Sequence, residues 1–189
     1  MPTYFAADLH LAHPKIAGLR GFHTVAAHDT FVMQGLYMLD PDEDELWLLG
    51  DLSSNSPESM WTALDMLDKV PVPKHAVLGN HDPGHSMHPD HNTYRGAYSE
   101  VFDSVQEYAQ ISVLGEFVTL SHFPYLGTPD RYSRRDFSAW QTPDEGGLLV
   151  HGHTHSREPR SGSRSVCVSM EAWGMRPAED TYVMAEMLN

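Results

Sequence analysis

The sequence predicts an α/β fold, and three observations carry that expectation. Short apolar runs alternate with helix-patterned stretches through residues 3–82. Further short apolar runs fill residues 101–187, with little helical spacing between them. Polar residues recur immediately after many of these runs, which is where open α/β sheets build their sites. A chain of 189 residues implies one domain over 1–189, long enough to bury a sizeable core.

The elements follow in order. "TYFAAD" (3–8) reads as a short strand ending in a carboxylate. "TVAAHDTFVMQGLYMLD" (24–40) has helical spacing, with Val25, Phe31, Val32, Leu36 and Leu39 near one face. "DELWLLGD" (44–51) is a buried strand running into Gly-Asp. "SPESMWTALDMLDKV" (56–70) is a helix, with Ser56 as N-cap and Pro57 as its first residue. "KHAVLGNHD" (74–82) is a third strand entering a glycine-containing loop. Strand, helix, strand, helix, strand implies parallel pairing. In "VFDSVQEYAQISVLGEFVTLSH" (101–122), Gly115 separates two runs and predicts a hairpin. "GGLLVHGH" (146–153), "SRSVCVSM" (163–170) and "TYVMAEM" (181–187) read as three more strands. Residues 83–96 and 123–147 read as loops, and no repeat or linker divides the chain.

Composition narrows the function classes. One cysteine, Cys167, excludes an intramolecular disulfide and a thiolate-rich zinc site. The N-terminus lacks a basic, apolar leader, and no run approaches the ~20 apolar residues of a membrane helix. The expectation is a cytoplasmic protein with no membrane partner. A net charge of −14, from 26 acidic against 12 basic residues, argues against nucleic acid as a partner. Oligomeric state is not legible.

The polar residues at the strand ends are Asp8 and His10, then Asp51, then Asn80, His81 and Asp82, then His122, then His153 and His155. Each alone is weak: Gly-Asp after a strand is usually a turn, and a lone histidine is usually satisfied locally. Together they form an oxygen and nitrogen donor set that suits Mn²⁺, Fe or Zn²⁺.

"DLH" (8–10), "GD" (50–51), "GNHD" (79–82), "SH" (121–122) and "GHTH" (152–155) resemble, in order, the five blocks of the calcineurin-like metallophosphoesterases. The opening "DLHLAHPKI" and the short chain resemble the small single-domain bacterial and phage members. The resemblance implies a four-layer αββα sandwich of two mixed β-sheets flanked by helices. It implies two divalent ions, Mn²⁺ first, with Fe, Zn²⁺ or Ni²⁺ as alternatives. Asp8, His10 and His155 would hold one ion, Asn80, His122 and His153 the other, and Asp51 would bridge them. His81 would protonate the leaving group, oriented by Asp82, after attack by a bridging hydroxide.

This chain also departs from some family members. Phosphoprotein phosphatases continue Gly-Asp with Asp-Arg-Gly and carry Gly-Asn-His-Glu, whereas here the stretches are "GDLSSNS" and "GNHD". Without that arginine, the expected substrate is a small phosphodiester, with cyclic nucleotides the natural class, taken into an acidic pocket walled by residues 83–96 and 123–147. The alternatives are a phosphomonoesterase, or a non-catalytic metal-binding module. His151 reads as structural. His13 stands between substrate contact and packing. Arg131, Arg134 and Arg135, and His85, His88 and His91, read first as solvated loops, with a phosphate clamp and an auxiliary metal site as their functional alternatives. Tyr94, Tyr98, Phe123, Tyr125 and Trp140 are candidates for stacking a base or for packing.

Overall fold

The computed structural model describes residues 1–128 and 135–188. The strands are β1 (Thr3–Ala6), β2 (Glu45–Leu48), β3 (Lys74–Val77), β4 (Ser104–Gln106), β5 (Tyr108–Val113), β6 (Glu116–Ser121), β7 (Leu148–His151), β8 (Ser165–Cys167) and β9 (Ala178–Glu179). The helices are α1 (Pro14–Leu19), α2 (Val25–Tyr37), α3 (Pro57–Leu67), α4 (His91–Val101) and α5 (Asp180–Leu188). One sheet runs β4-β3-β2-β1-β9, parallel except for the antiparallel β1–β9 edge. The other runs β5-β6-β7-β8, antiparallel at β5–β6 and parallel beyond. These are the two mixed sheets and helices that the resemblance implies.

Strand alternation divides the apolar residues between two layers. Ala6, Leu46, Leu48 and Ala76 face a core shared with Val32 and Leu36 of α2, Met60 and Leu64 of α3, and Tyr98 of α4. Phe5, Trp47 and Val77 face the opposite way, toward Val118 and Leu120 of β6, Val150 of β7 and Val166 of β8. Val183, Met184 and Met187 of α5 close the second layer. Burial on both faces is why β1 and β2 read as continuous apolar runs.

Local signals behave as the sequence predicts at several ends. The Ser56 side chain accepts from Ser59 N at 3.2 Å, with Pro57 at the helix start. Leu114 and Gly115 turn the β5–β6 hairpin with φ of 50° and 90°, the left-handed pair that matches strand twist.

Two assignments change. Residues 181–187 form helix α5, not a strand: the buried set Asp180, Val183, Met184 and Met187 has helical spacing that the short apolar window conceals. Residues 83–96 are not all loop, because α4 starts at His91 and buries Ala97 and Tyr98. Helix α1 and strand β9 were not foreseen. No described helix is long and apolar enough to cross a membrane.

Candidate metal centre

The parallel strands β1, β2 and β3 all end on one rim of their sheet, and β6 and β7 end beside it. Asp8, Asp51, Asn80, His122 and His153 lie just past these ends. Backbone bonds lace the exits together: Asp8 N to Gly50 O at 2.9 Å, His10 N to Asp51 O at 3.0 Å, and Gly152 N to His122 O at 3.0 Å.

The chain bends sharply here. Among the described residues, Asp8, His10, Ala12, Asp51, His153 and His155 all have positive φ, from 46° to 69°. Asp and His tolerate this region better than most side chains, and such strain collects at functional sites. Glycine is required where the exits touch. A Cβ on Gly50, whose φ is +84°, would lie 2.6 Å from His122 Nδ1. A Cβ on Gly152 would lie 2.5 Å from Ala7 Cβ and 2.8 Å from Asp8 Oδ2. Gly152 therefore spaces the histidines because only hydrogen fits against Ala7 and Asp8, just past β1.

Two clusters of donor atoms result. In the first, His10 Nε2 lies 3.1 Å from His155 Nε2, and His155 Nε2 lies 3.6 Å from Asp8 Oδ1. In the second, Asn80 Oδ1 lies 2.8 Å from His153 Nδ1 and 3.1 Å from His122 Nε2, and the two ring nitrogens are 3.2 Å apart. Asp51 stands between them, with Oδ2 3.8 Å from His10 Nε2 and Oδ1 3.4 Å from His122 Nε2. Asp8, His10 and His155, and separately Asp8, Asp51 and His122, are close enough to share an ion.

The surroundings fix which atoms face inward. His10 Nδ1–H donates to Ser53 O at 3.1 Å, His122 Nδ1–H to Leu49 O at 2.8 Å, and His155 Nδ1–H to Glu171 at 2.9 Å. Each bond leaves the Nε2 lone pair turned to the cluster. Asp8 Oδ2 accepts from His153 N at 2.9 Å and Ser169 Oγ at 2.5 Å. Asp8 Oδ1 is buried with no hydrogen-bond partner. A buried, unsatisfied carboxylate oxygen beside converging imidazole lone pairs fits a divalent cation.

The electrostatics agree. Burial alone would lower the His155 pKa, yet Asp8 and Glu171 hold it up at about 9, so positive charge is stabilised at this point. His10 is pushed well below its usual range by burial, then by neighbouring His155 and His81. Asp82 is pushed up to about 6 by burial and by Asp51.

The remaining sequence candidates fall into place unevenly. His81 stands at the mouth, Nε2 4.0 Å from Asp51 Oδ2, with its side chain 37% exposed. Asp82 does not orient it through any described hydrogen bond. The Asp82 carboxylate instead accepts from Asp51 N at 2.9 Å, Leu52 N at 3.1 Å and Gly79 N at 2.8 Å. It lies beneath the loop, holding Asp51 and the Gly79 turn together. His151 faces away from the site, donating from Nδ1 to Gly152 O at 2.7 Å and accepting from Ser161 Oγ at 2.6 Å.

The His85, His88 and His91 stretch is neither solvated throughout nor a metal cluster. His85 is buried against Trp140, and His88 Nε2 donates to the Asn80 carbonyl at 3.0 Å. Tyr98 is core, whereas Phe123 packs its ring 5.0 Å from those of both His122 and His153. Arg131 and Arg134 lie outside the described residues. Arg135 is exposed.

Two residues escaped the sequence reading. Arg20 donates to the carbonyls of Asp8 at 2.6 Å and Leu9 at 2.9 Å, and to Glu171 at 2.9 Å. Glu171 in turn holds His155. No strand-end motif marks either one.

A cleft of about 580 Å³ opens beside the first cluster, lined by His10, His13, His81 and His155 together with α1 and Met175. It is not the acidic pocket expected from net charge. Lys15, Arg20 and Arg157 line it, against Glu171 as its one carboxylate among the described residues. Its walls are α1, the stretch after His155 and the segment around Met175, with none of the described residues of 83–96 or 123–147 lining it.

Residues 1–188 match the calcineurin-like phosphoesterase superfamily domain. The Gene 66 protein of Mycobacterium phage L5 is 35% identical over 189 residues, covering 94% of this chain and 90% of that protein. The Gene 66 protein of Mycobacterium phage D29 is 36% identical over 179 residues, covering 90% and 88%. Among solved structures, a protein of unknown function from Aquifex aeolicus, AQ665, shares the fold with a TM-score of 0.70 at 24% identity, covering 97% of this chain and 98% of that one.

Proposed function

The chain belongs to the calcineurin-like phosphoesterase superfamily, and on that premise we propose that it hydrolyses small phosphodiesters, cyclic nucleotides foremost, at a two-metal centre. Asp8, His10 and His155 would hold one ion and Asn80, His122 and His153 the other, with Asp51 shared. The observation that carries the reading is the placement of Asp51: its two oxygens face different donor clusters, at 3.8 Å and 3.4 Å. The all-nitrogen and oxygen donor set favours Mn²⁺, with Fe, Zn²⁺ or Ni²⁺ as alternatives.

Bound divalent ions supply a water of lowered pKa and charge stabilisation for the phosphoryl oxygens. The chain's own residues do the rest. Ser53, Leu49 and Glu171 orient three imidazoles, and Asp82 fixes the Asp51 turn. His81 lines the cleft, and it would give a proton to the leaving oxygen. A cleft of about 580 Å³ suits a nucleotide better than a duplex.

A second reading, phosphomonoester hydrolysis, is favoured by Lys15 and Arg157, which offer the positive charge that a dianionic monoester needs. The test removes metal with a chelator, restores Mn²⁺, and compares bis(p-nitrophenyl) phosphate with p-nitrophenyl phosphate. A panel of 2′,3′- and 3′,5′-cyclic nucleotides and duplex DNA follows. The proposal expects metal-dependent turnover of the diester and of cyclic nucleotides, with little DNA cleavage. Monoester turnover alone would replace it with the second reading.

A further inference from the structure

The cleft beside His81 concentrates positive charge on a protein whose net charge is −14. Three of the chain's 12 lysines and arginines line it. Arg20 is engaged by the Asp8 and Leu9 carbonyls and by Glu171, and Glu171 is engaged in turn by His155. Lys15 and Arg157 differ. Both are exposed, and neither makes a hydrogen bond or ion pair with any described residue. The same cleft has an apolar side. Leu19 is 71% exposed and sits one helical turn from Lys15, with Ile16 and Met175 beside it.

We infer that this cleft receives the leaving group of the substrate, and that it selects one carrying a second anionic group, held by Lys15 and Arg157, and a flat apolar face, packed on Ile16, Leu19 and Met175. The inference rests on the phosphodiesterase reading, because His81 lines this cleft and the group it protonates must lie there. A 2′,3′-cyclic nucleotide with a 5′-phosphate meets both requirements, because its leaving oxygen stays on the nucleoside that carries the second phosphate and the base. Two cations on an otherwise acidic surface discriminate by charge at short range, where screening is weakest. The exposed Leu19, with the half-buried Ile16 and Met175, supplies a surface for a nucleobase or similar ring.

The test is calorimetric binding of candidate products to the purified protein, which needs no turnover. Adenosine 3′,5′-bisphosphate should bind about tenfold or more tightly than adenosine 5′-monophosphate, the scale of one charge-assisted phosphate contact. Lys15→Ala and Arg157→Ala should each reduce that ratio severalfold in proteins whose thermal unfolding is unchanged. Leu19→Ser should reduce the advantage of adenosine 5′-monophosphate over ribose 5-phosphate and leave the bisphosphate ratio intact. Equal affinity for mono- and bisphosphate, or ratios that survive both charge variants, would overturn the inference. Bisphosphate preference without diester hydrolysis would retain the binding cleft and remove the reaction. Diester hydrolysis without that preference would remove the cleft's role alone.

Discussion

His10 Nε2 lies 3.1 Å from His155 Nε2, although each ring already donates its Nδ1–H elsewhere, to Ser53 O and to Glu171. Two nitrogens so arranged must share a proton or a cation. Asp8 and Glu171 favour positive charge there, against the cost of burial.

Glu171→Gln should therefore weaken metal binding without touching a ligand. Partners of this kind are typically worth about 10–100-fold in metal affinity. Titration of the chelator-stripped protein with Mn²⁺ measures it. An unchanged affinity would mean that the Glu171–His155 contact does not support the site.

Asp51→Ala should be the most damaging single change, since Asp51 faces both donor clusters. Metal content should fall at both positions, and turnover should fall below that of His10→Ala. Normal loading of either position at stoichiometric metal would contradict the shared role.

The candidate site was largely legible because each of its blocks follows an apolar run at a strand end, from Asp8 after β1 to His153 after β7. What supports it was not. Arg20 and Glu171 meet across 151 positions of sequence, and only the fold brings them together. Asp82 shows the converse: its place in "GNHD" was plain, but its hydrogen bonds to the backbone of Asp51, Leu52 and Gly79 come from tertiary approach. Helix α5 was misread because "TYVMAEM" is short and apolar, and its helical set begins outside that window, at Asp180. The cationic cleft was hidden by a whole-chain charge that says nothing of where twelve basic residues lie.

His81→Ala should lower turnover by about 10²–10⁴-fold for substrates with poor leaving groups, the usual scale of a lost general acid. With nitrophenolate as leaving group the loss should shrink, while metal content stays unchanged. Equal losses for both classes of substrate would remove the proton-donor assignment.

The His151 side chain should make stability depend on pH. Burial pushes its pKa down to about 4, against the opposing pull of the Gly152 carbonyl and Asp8. The unfolded chain, with an ordinary imidazole near ~6.5, binds more protons between these values. Stability from this group is thus fully present above about pH 6.5 and is lost as pH falls toward 4. The loss between pH 7 and pH 5 is on the order of 2 kcal/mol. Urea unfolding of the wild type and of His151→Gln, both metal-stripped, should show a shallower pH dependence in the variant. Parallel curves would exclude His151 as the source.

The central claim is that two divalent ions share Asp51. Anomalous diffraction from crystals grown with Mn²⁺ tests it directly. Two peaks are expected, one among Asp8, His10 and His155 and one among Asn80, His122 and His153, each in contact with a different oxygen of Asp51. A single peak at saturating Mn²⁺, or peaks that leave Asp51 out, would contradict the account.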